Sequence, residues 1–238
     1  MYISKRLAAA VFIALALLVS ASFANTKSKK QGESPLKRRE VKEAERRLSE
    51  MGYSTGQIDG VIDSATRMGL VTFQKWEGRQ ITGQLTRAEL NAIREATAPR
   101  PKDNGYKHVE VDLDRQVMLL TDDDGAVTKI LPVSTGSGKQ YKEKSMSGLA
   151  YTPRGRFRIY GKMEGWRKSP LGLLYYPNYF SDGLAIHGNP EVPHTPRSHG
   201  CVRIPMSEAK EISEELPVGT IVLIYDSQSF VSAKEWVQ

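Results

Sequence analysis

The apolar period changes once along this chain, and that change bounds what it can fold into. Before Thr97, apolar residues recur at three- and four-residue spacing: Val41, Ala44, Leu48 and Met51, then Met68, Leu70, Val71, Phe73 and Trp76, then Leu90 and Ile93. Such spacing lines one face of a helix. After Gly105 the period becomes two, with Val109, Val111 and Leu113 alternating against His108, Glu110 and Asp112. That is a strand, and His108 is expected to face solvent. Pro99 and Pro101 keep the linker at 98–105 extended. The prediction is an α+β chain: a small three-helix bundle at 36–97, a mainly β domain with one short helix at 106–226, and a peripheral tail at 227–238.

Local signals place the elements. Gly52 ends the first helix, and Asp63 or Ser64 caps the second. Thr86-Arg87-Ala88-Glu89 reads as a capping box for the third. Gly69 weakens the helix that contains it. In the second part, strands are expected over 115–121, 127–134, 156–160 and 184–186. Asp122 to Gly125 forms a hairpin turn, and 136–152 a long mobile loop. A helix follows Pro205 and Ser207 as far as Leu216. The run Thr220 to Ile224 is continuously apolar after its threonine, so that strand is buried on both faces.

Residues 1–24 read as an export signal rather than as fold. Lys5 and Arg6 precede an apolar run, Leu7 to Val19, and small residues lead up to Ala24, where cleavage is expected. The run is short for a membrane span, which needs about 20 residues. Contact with a membrane therefore ends with cleavage. Residues 25–35 are a polar, basic tether. The formal charge of +7 falls to +5 once Lys5 and Arg6 are gone. A basic exported chain suits a polyanionic surface, and it carries no nucleic-acid motif. Hydrophobic residues at 39% allow a packed core without help from disulfides.

The chain has one cysteine, Cys201. In an oxidising compartment an unpaired cysteine is an intermolecular link or a reactive thiol. Here it lies in a glycine- and proline-rich stretch, 186–204, that also holds His187, His194 and His199, three of the four histidines. A thiol beside an imidazole is a nucleophile beside a base, and both His187 and His199 are candidates for that base. Gly200 lets the backbone turn, freeing nearby amides for an oxyanion. Arg203 offers a fork to a carboxylate, and His194 belongs to the loop surface. A zinc site built from His187, His194, His199 and Cys201 fits no common ligand spacing. No metal or cofactor is expected.

Two resemblances follow from particular residues. Ile186-His187-Gly188 followed by Ser198-His199-Gly200-Cys201-Val202-Arg203 resembles the signature of the L,D-transpeptidase catalytic domain. The segments Leu131 to Gly136 and Thr152 to Phe157 resemble that family too, and together the matches span 106–226. The earlier residues 40–95 resemble the peptidoglycan-binding three-helix module. The match lies in Leu48 with Gly52-Tyr53, Ile58-Asp59-Gly60, Ala65-Thr66, Phe73-Gln74 and Thr82-Gly83. Asp63, where the family commonly has glycine, and Gly69 depart from it.

The resemblance implies a cysteine acyltransferase acting on peptidoglycan. Cys201 would attack a donor tetrapeptide stem and expel D-Ala. An amine of an acceptor stem would then take the acyl group, leaving a 3→3 cross-link. His187 would be the base, oriented by the Gly188 carbonyl. Amides of Gly200 and Cys201 would hold the oxyanion, His199 and Ser198 would hold the loop, and Arg203 would be structural or face substrate. Trp166, Tyr175 and Tyr176 would wall the groove. No cofactor is needed, because the thioester conserves the acyl energy. Such a protein would be a periplasmic or wall-associated monomer. Water as acceptor would make it a carboxypeptidase, and a protein acceptor an anchoring enzyme. A silent Cys201 would leave a wall-binding protein with no turnover.

Overall fold

The computed structural model describes residues 34–143 and 146–229. The signal segment, most of the tether and the end of the tail lie outside the described residues. The first three helices are α1 (Arg38–Glu50), α2 (Ser64–Trp76) and α3 (Arg87–Glu95). Gly52, at φ +93°, follows α1 as a left-handed cap residue, and Tyr53 N donates to Leu48 O. The Asp63 carboxylate accepts from Thr66 N and caps α2. Only half of the box at α3 forms. Thr86 Oγ1 accepts from Glu89 N, but the Glu89 carboxylate turns instead to Arg79 Nε at 3.1 Å. Gly69 sits inside α2 because a Cβ there would lie 2.7 Å from Thr55 Cγ2 and 2.9 Å from Ser54 O. The helical cost of glycine permits that close approach.

From β1 (His108–Asp112) onward the chain builds two sheets. With β2 (Val117–Thr121) and β3 (Val127–Pro132), β1 forms a meander whose turn is closed by Gly125 N on Asp122 O. The segment expected as a loop contains a hairpin, β4 (Gln140–Glu143) and β5 (Met146–Leu149). Its residues are mostly polar or small, so no apolar alternation announces it. Then follow β6 (Gly155–Arg158), β7 (Gly161–Lys162), β8 (Trp166–Ser169), β9 (Gly172–Ser181), β10 (Leu184–Asn189), β11 (Val202–Pro205), α4 (Met206–Glu215) and β12 (Ile221–Tyr225). One sheet has the order β3-β2-β1-β12-β6, with β12 parallel to β1. The other runs β11-β10-β9-β7, with β8 beside β9.

Both faces of the first sheet are covered. Met118, Leu120, Leu131 and Val133 pack inward against Ile186, Val202 and Ile204 of the second sheet and Ala209 and Ile212 of α4. On the other face Val117, Leu119 and Ile130 pack among Leu48, Tyr53, Leu70 and Phe73 of the helical part. Hence β2 is buried along its whole length. A fully buried residue of this size stabilises by about 1.5–3 kcal/mol relative to exposure, so the helices are structural partners of the sheet. Ile130 N also donates to Gly52 O, and Lys129 Nζ reaches Glu208 and Glu211 of α4. Among the described residues, helices and sheets from Pro35 onward belong to one compact unit.

The polar side of β1 does not face solvent. His108 is 1% exposed, and its Nε2 lies 3.2 Å from Glu110 Oε1. Glu110 in turn accepts from the Tyr225 hydroxyl and from Asp103 N of the linker. The alternation is present, but a second set of polar partners closes over it. Among the described residues no helix is long and apolar enough to cross a membrane.

Candidate active site

The parallel pair β10–β11 separates chemistry from core by its period of two. Ile186 pairs with Val202, and Gly188 with Ile204. Ile186, Val202 and Ile204 are fully buried in the core. The alternate residues, His187 and Arg203, are partners in register, and Cys201 lies two residues before Arg203 on the same face. His187, Cys201, Arg203, Ser198 and His199 all open onto one cavity of about 1090 Å³.

His187 is 2% exposed, and its Nδ1 lies 2.9 Å from the Gly188 carbonyl. A carbonyl only accepts, so Nδ1 carries the proton and Nε2 keeps its lone pair. Burial pushes the imidazole down to about 4, assisted by the charge of Arg203. It is a neutral ring at neutral pH. Burial pushes the Cys201 thiol up, against lesser opposite pulls from the Ala185 amide and from Arg203. Ala185 N lies 3.4 Å from the sulfur and is a donor for a developing thiolate. The resting pair is therefore thiol and imidazole, and charge develops only as the sulfur attacks.

The backbone around Cys201 is fixed by short bonds. Ser198 Oγ donates to Cys201 O at 2.6 Å and accepts from Gly200 N at 3.0 Å. The Gly200 amide is thus engaged, although it was expected to serve an oxyanion. Gly200 has φ +144°, and a Cβ there would meet Tyr151 O at 2.7 Å, so only glycine fits. Thr152 Oγ1 donates to Gly200 O and accepts from Gly136 N. Gly188 is required for a different reason: a Cβ would lie 2.6 Å from Ala209 Cβ of α4.

The remaining expected residues, His199 apart, lie away from the cavity. His199 Nε2 lies 3.0 Å from Glu143 Oε1, and its ring packs on Tyr141, so it ties the loop to the β4–β5 hairpin. His194 is exposed. Among the described residues no three His, Cys, Asp or Glu side chains gather as a metal cluster. Tyr175 meets the tilted ring of Trp166 at 4.9 Å and Tyr176 edge-on at 4.7 Å between ring centroids, and none of the three lines the cavity. Tyr179 lines it instead. Burial raises the Tyr179 phenol, against the opposite pull of the Arg167 charge. The reason is local: Tyr176 has φ +48°, and the β9–β10 register shifts beside Gly188, so the sidedness of β9 changes midway. Sequence reading missed Tyr179, Arg167 and Tyr141, and it placed Thr152 in a segment resembling the family without giving it a role at the site. Of the four, only Thr152 carried a signal, through that segment.

Comparison with known proteins gives two family matches. The L,D-transpeptidase catalytic domain matches residues 106–224, and a peptidoglycan binding domain matches residues 37–93. Among solved structures, the L,D-transpeptidase (residues 123–326) from Xylanimonas cellulosilytica is 35% identical. That match covers 78% of this chain and 93% of that one, with a TM-score of 0.73. An L,D-transpeptidase from Stackebrandtia nassauensis is 26% identical over 78% of this chain and 90% of that one, with a TM-score of 0.46. No curated protein sequence matches.

Proposed function

The chain belongs to the L,D-transpeptidase catalytic-domain family, and on that premise we propose that it cross-links peptidoglycan through a Cys201 thioester. The sulfur attacks the carbonyl joining the third and fourth residues of a donor tetrapeptide stem, and its proton passes to Nε2 of His187. The oxyanion is met by the Cys201 amide. The tetrahedral adduct collapses, the leaving amine of D-Ala takes the proton from His187, and the thioester remains. An amine of a second stem then attacks, passes its proton to His187 and restores the thiol, leaving a 3→3 cross-link.

The observation that carries this reading is the fixed tautomer of His187 beside Cys201 at one cavity. Arg203 shares that cavity and is suited to a stem carboxylate. A volume of about 1090 Å³ leaves room for two peptide ends, which favours amine transfer over hydrolysis. Residues 36–97 would hold the polymer, and 106–226 would carry the chemistry. The protein acts outside the cytoplasmic membrane as a monomer.

The test is mass spectrometry of muropeptides incubated with the protein and with Cys201→Ala. Cross-linked dimers and free D-Ala with the wild type alone support the proposal. Trimmed tripeptides without dimers would point to water as acceptor. Release of D-Ala by Cys201→Ala at the wild-type rate would overturn it.

A further inference from the structure

Lys75 lies on α2, in the helical part, yet it is 4% exposed and reaches into the sheet. Its Nζ donates to Gln116 O and to Val133 O, each at 3.1 Å. Among the described residues no carboxylate pairs with it. Burial lowers the ammonium to about 8. A buried cation without an acid is costly, and an apolar side chain would fill the space at less expense. Its two donors therefore call for an explanation beyond packing.

The acceptors lead to the nucleophile. Gln116, at φ +55°, is held in a conformation unusual for a side chain that is not glycine. It grips Thr135 twice: Gln116 Nε2 donates to Thr135 Oγ1 at 2.8 Å, and Thr135 N donates to Gln116 Oε1 at 2.9 Å. Thr135 O accepts from Ser198 N at 2.9 Å, and Ser198 Oγ holds both Gly200 N and Cys201 O. On either side, Ser134 exchanges backbone bonds with Arg203, and Ser137 N donates to Ser198 O. Segment 133–137 is thus the bed on which the Cys201 loop lies. One end of that bed is pinned by a lysine from the helices.

We propose that Lys75 is a positioning residue for the Cys201 loop, acting through Gln116, Thr135 and Ser198. The helical part then sets the geometry of the nucleophile as well as holding polymer. Loss of Lys75 removes the tie from the helices to Gln116 O and Val133 O and leaves the direct bond from Val133 N to Gln116 O, at 2.9 Å, as the link between those two backbones, and the loop relaxes toward solvent. The reaction slows, while the wall of the cavity built by β8 and β9 is kept.

The experiment compares the full chain with Lys75→Met, which keeps length and volume but donates no bond, and with Thr135→Val, which removes one of the two bonds between Thr135 and Gln116 in the middle of the relay. Ile93→Val, in the same helical core, controls for stability. Two readouts are taken: the pH profile of Cys201 alkylation by iodoacetamide, and steady-state D-Ala release. In Lys75→Met the alkylation midpoint is expected to fall by about half a pH unit or more as water reaches the sulfur. In the same variant kcat should fall about 10-fold with KM nearly unchanged. Thr135→Val should do the same, and the double variant should lose no more than the worse single one. Wild-type values of both readouts in Lys75→Met would overturn the relay. So would equal changes in Ile93→Val at a matched fall in Tm. The kinetic arm rests on the proposed activity, whereas alkylation needs no peptidoglycan. A protein inactive on stems would still report on the relay.

Discussion

Two histidines in this molecule are equally buried and chemically opposite. His187, on β10, gives Nδ1 to the Gly188 carbonyl and keeps Nε2 for the cavity it shares with Cys201. His108, on β1, has both nitrogens occupied: Nδ1 lies near Tyr106 O and Thr121 Oγ1, and Nε2 faces Glu110. One ring has a single neutral partner and an open lone pair. The other is a closed knot of polar partners. Burial alone does not make a histidine a base; an unspent nitrogen aimed at a cavity does.

The largest effect that could break this contrast is at the sulfur. Cys201→Ala should abolish D-Ala release, a loss of at least about 1000-fold, with Tm unchanged. Next comes the proposed base. His187→Gln should lower kcat by about 100-fold or more and leave the fold intact. His108→Gln should keep kcat within a factor of about two while destabilising by about 1–3 kcal/mol through its stranded partners, as read by urea unfolding. If His108→Gln lost activity without losing stability, the contrast would fail.

A pH titration sharpens the same point. His187 is held near 4 in the folded state, below the ordinary histidine value of about 6.5. Between those values the unfolded chain binds the proton and the folded chain does not. Stability contributed by the neutral ring is therefore present above about 6.5 and is lost as pH falls toward about 4, by on the order of 3 kcal/mol. His187→Gln should flatten the stability–pH curve in that window, and the acid limb of kcat/KM should sit well below 6.5. The smallest effect belongs to the partly exposed pair His199–Glu143. Glu143→Gln should change KM by no more than about five-fold, since exposed pairs contribute about 0–1 kcal/mol.

Much of this architecture is legible along the chain. The caps at Asp63 and Thr86, the stripe Val41–Ala44–Leu48, and the apolar run of β12 are local patterns, and each appears where its neighbours dictate. The thiol and its imidazoles were legible because the stretch 186–204 concentrates them. The β4–β5 hairpin was not, because its strands are too polar to show a period. Nor was the buried polar side of β1, because alternation reports polarity rather than what covers it. The aromatic residues of β9 misled for a third reason: one positive φ at Tyr176 reverses the faces that a strict period assigns.

Chain neighbours alone settle periods and caps, since those depend on side chains three or four residues apart. The pairing of β10 with β11, which puts His187, Arg203 and Cys201 on one face, joins residues about sixteen apart across a turn-rich loop. The helices on the outer face of the sheet, and Lys75 beneath the Cys201 loop, join residues farther apart still. Those arrangements come from burying two faces of one sheet at once, a condition that no local pattern expresses and only the packed chain satisfies.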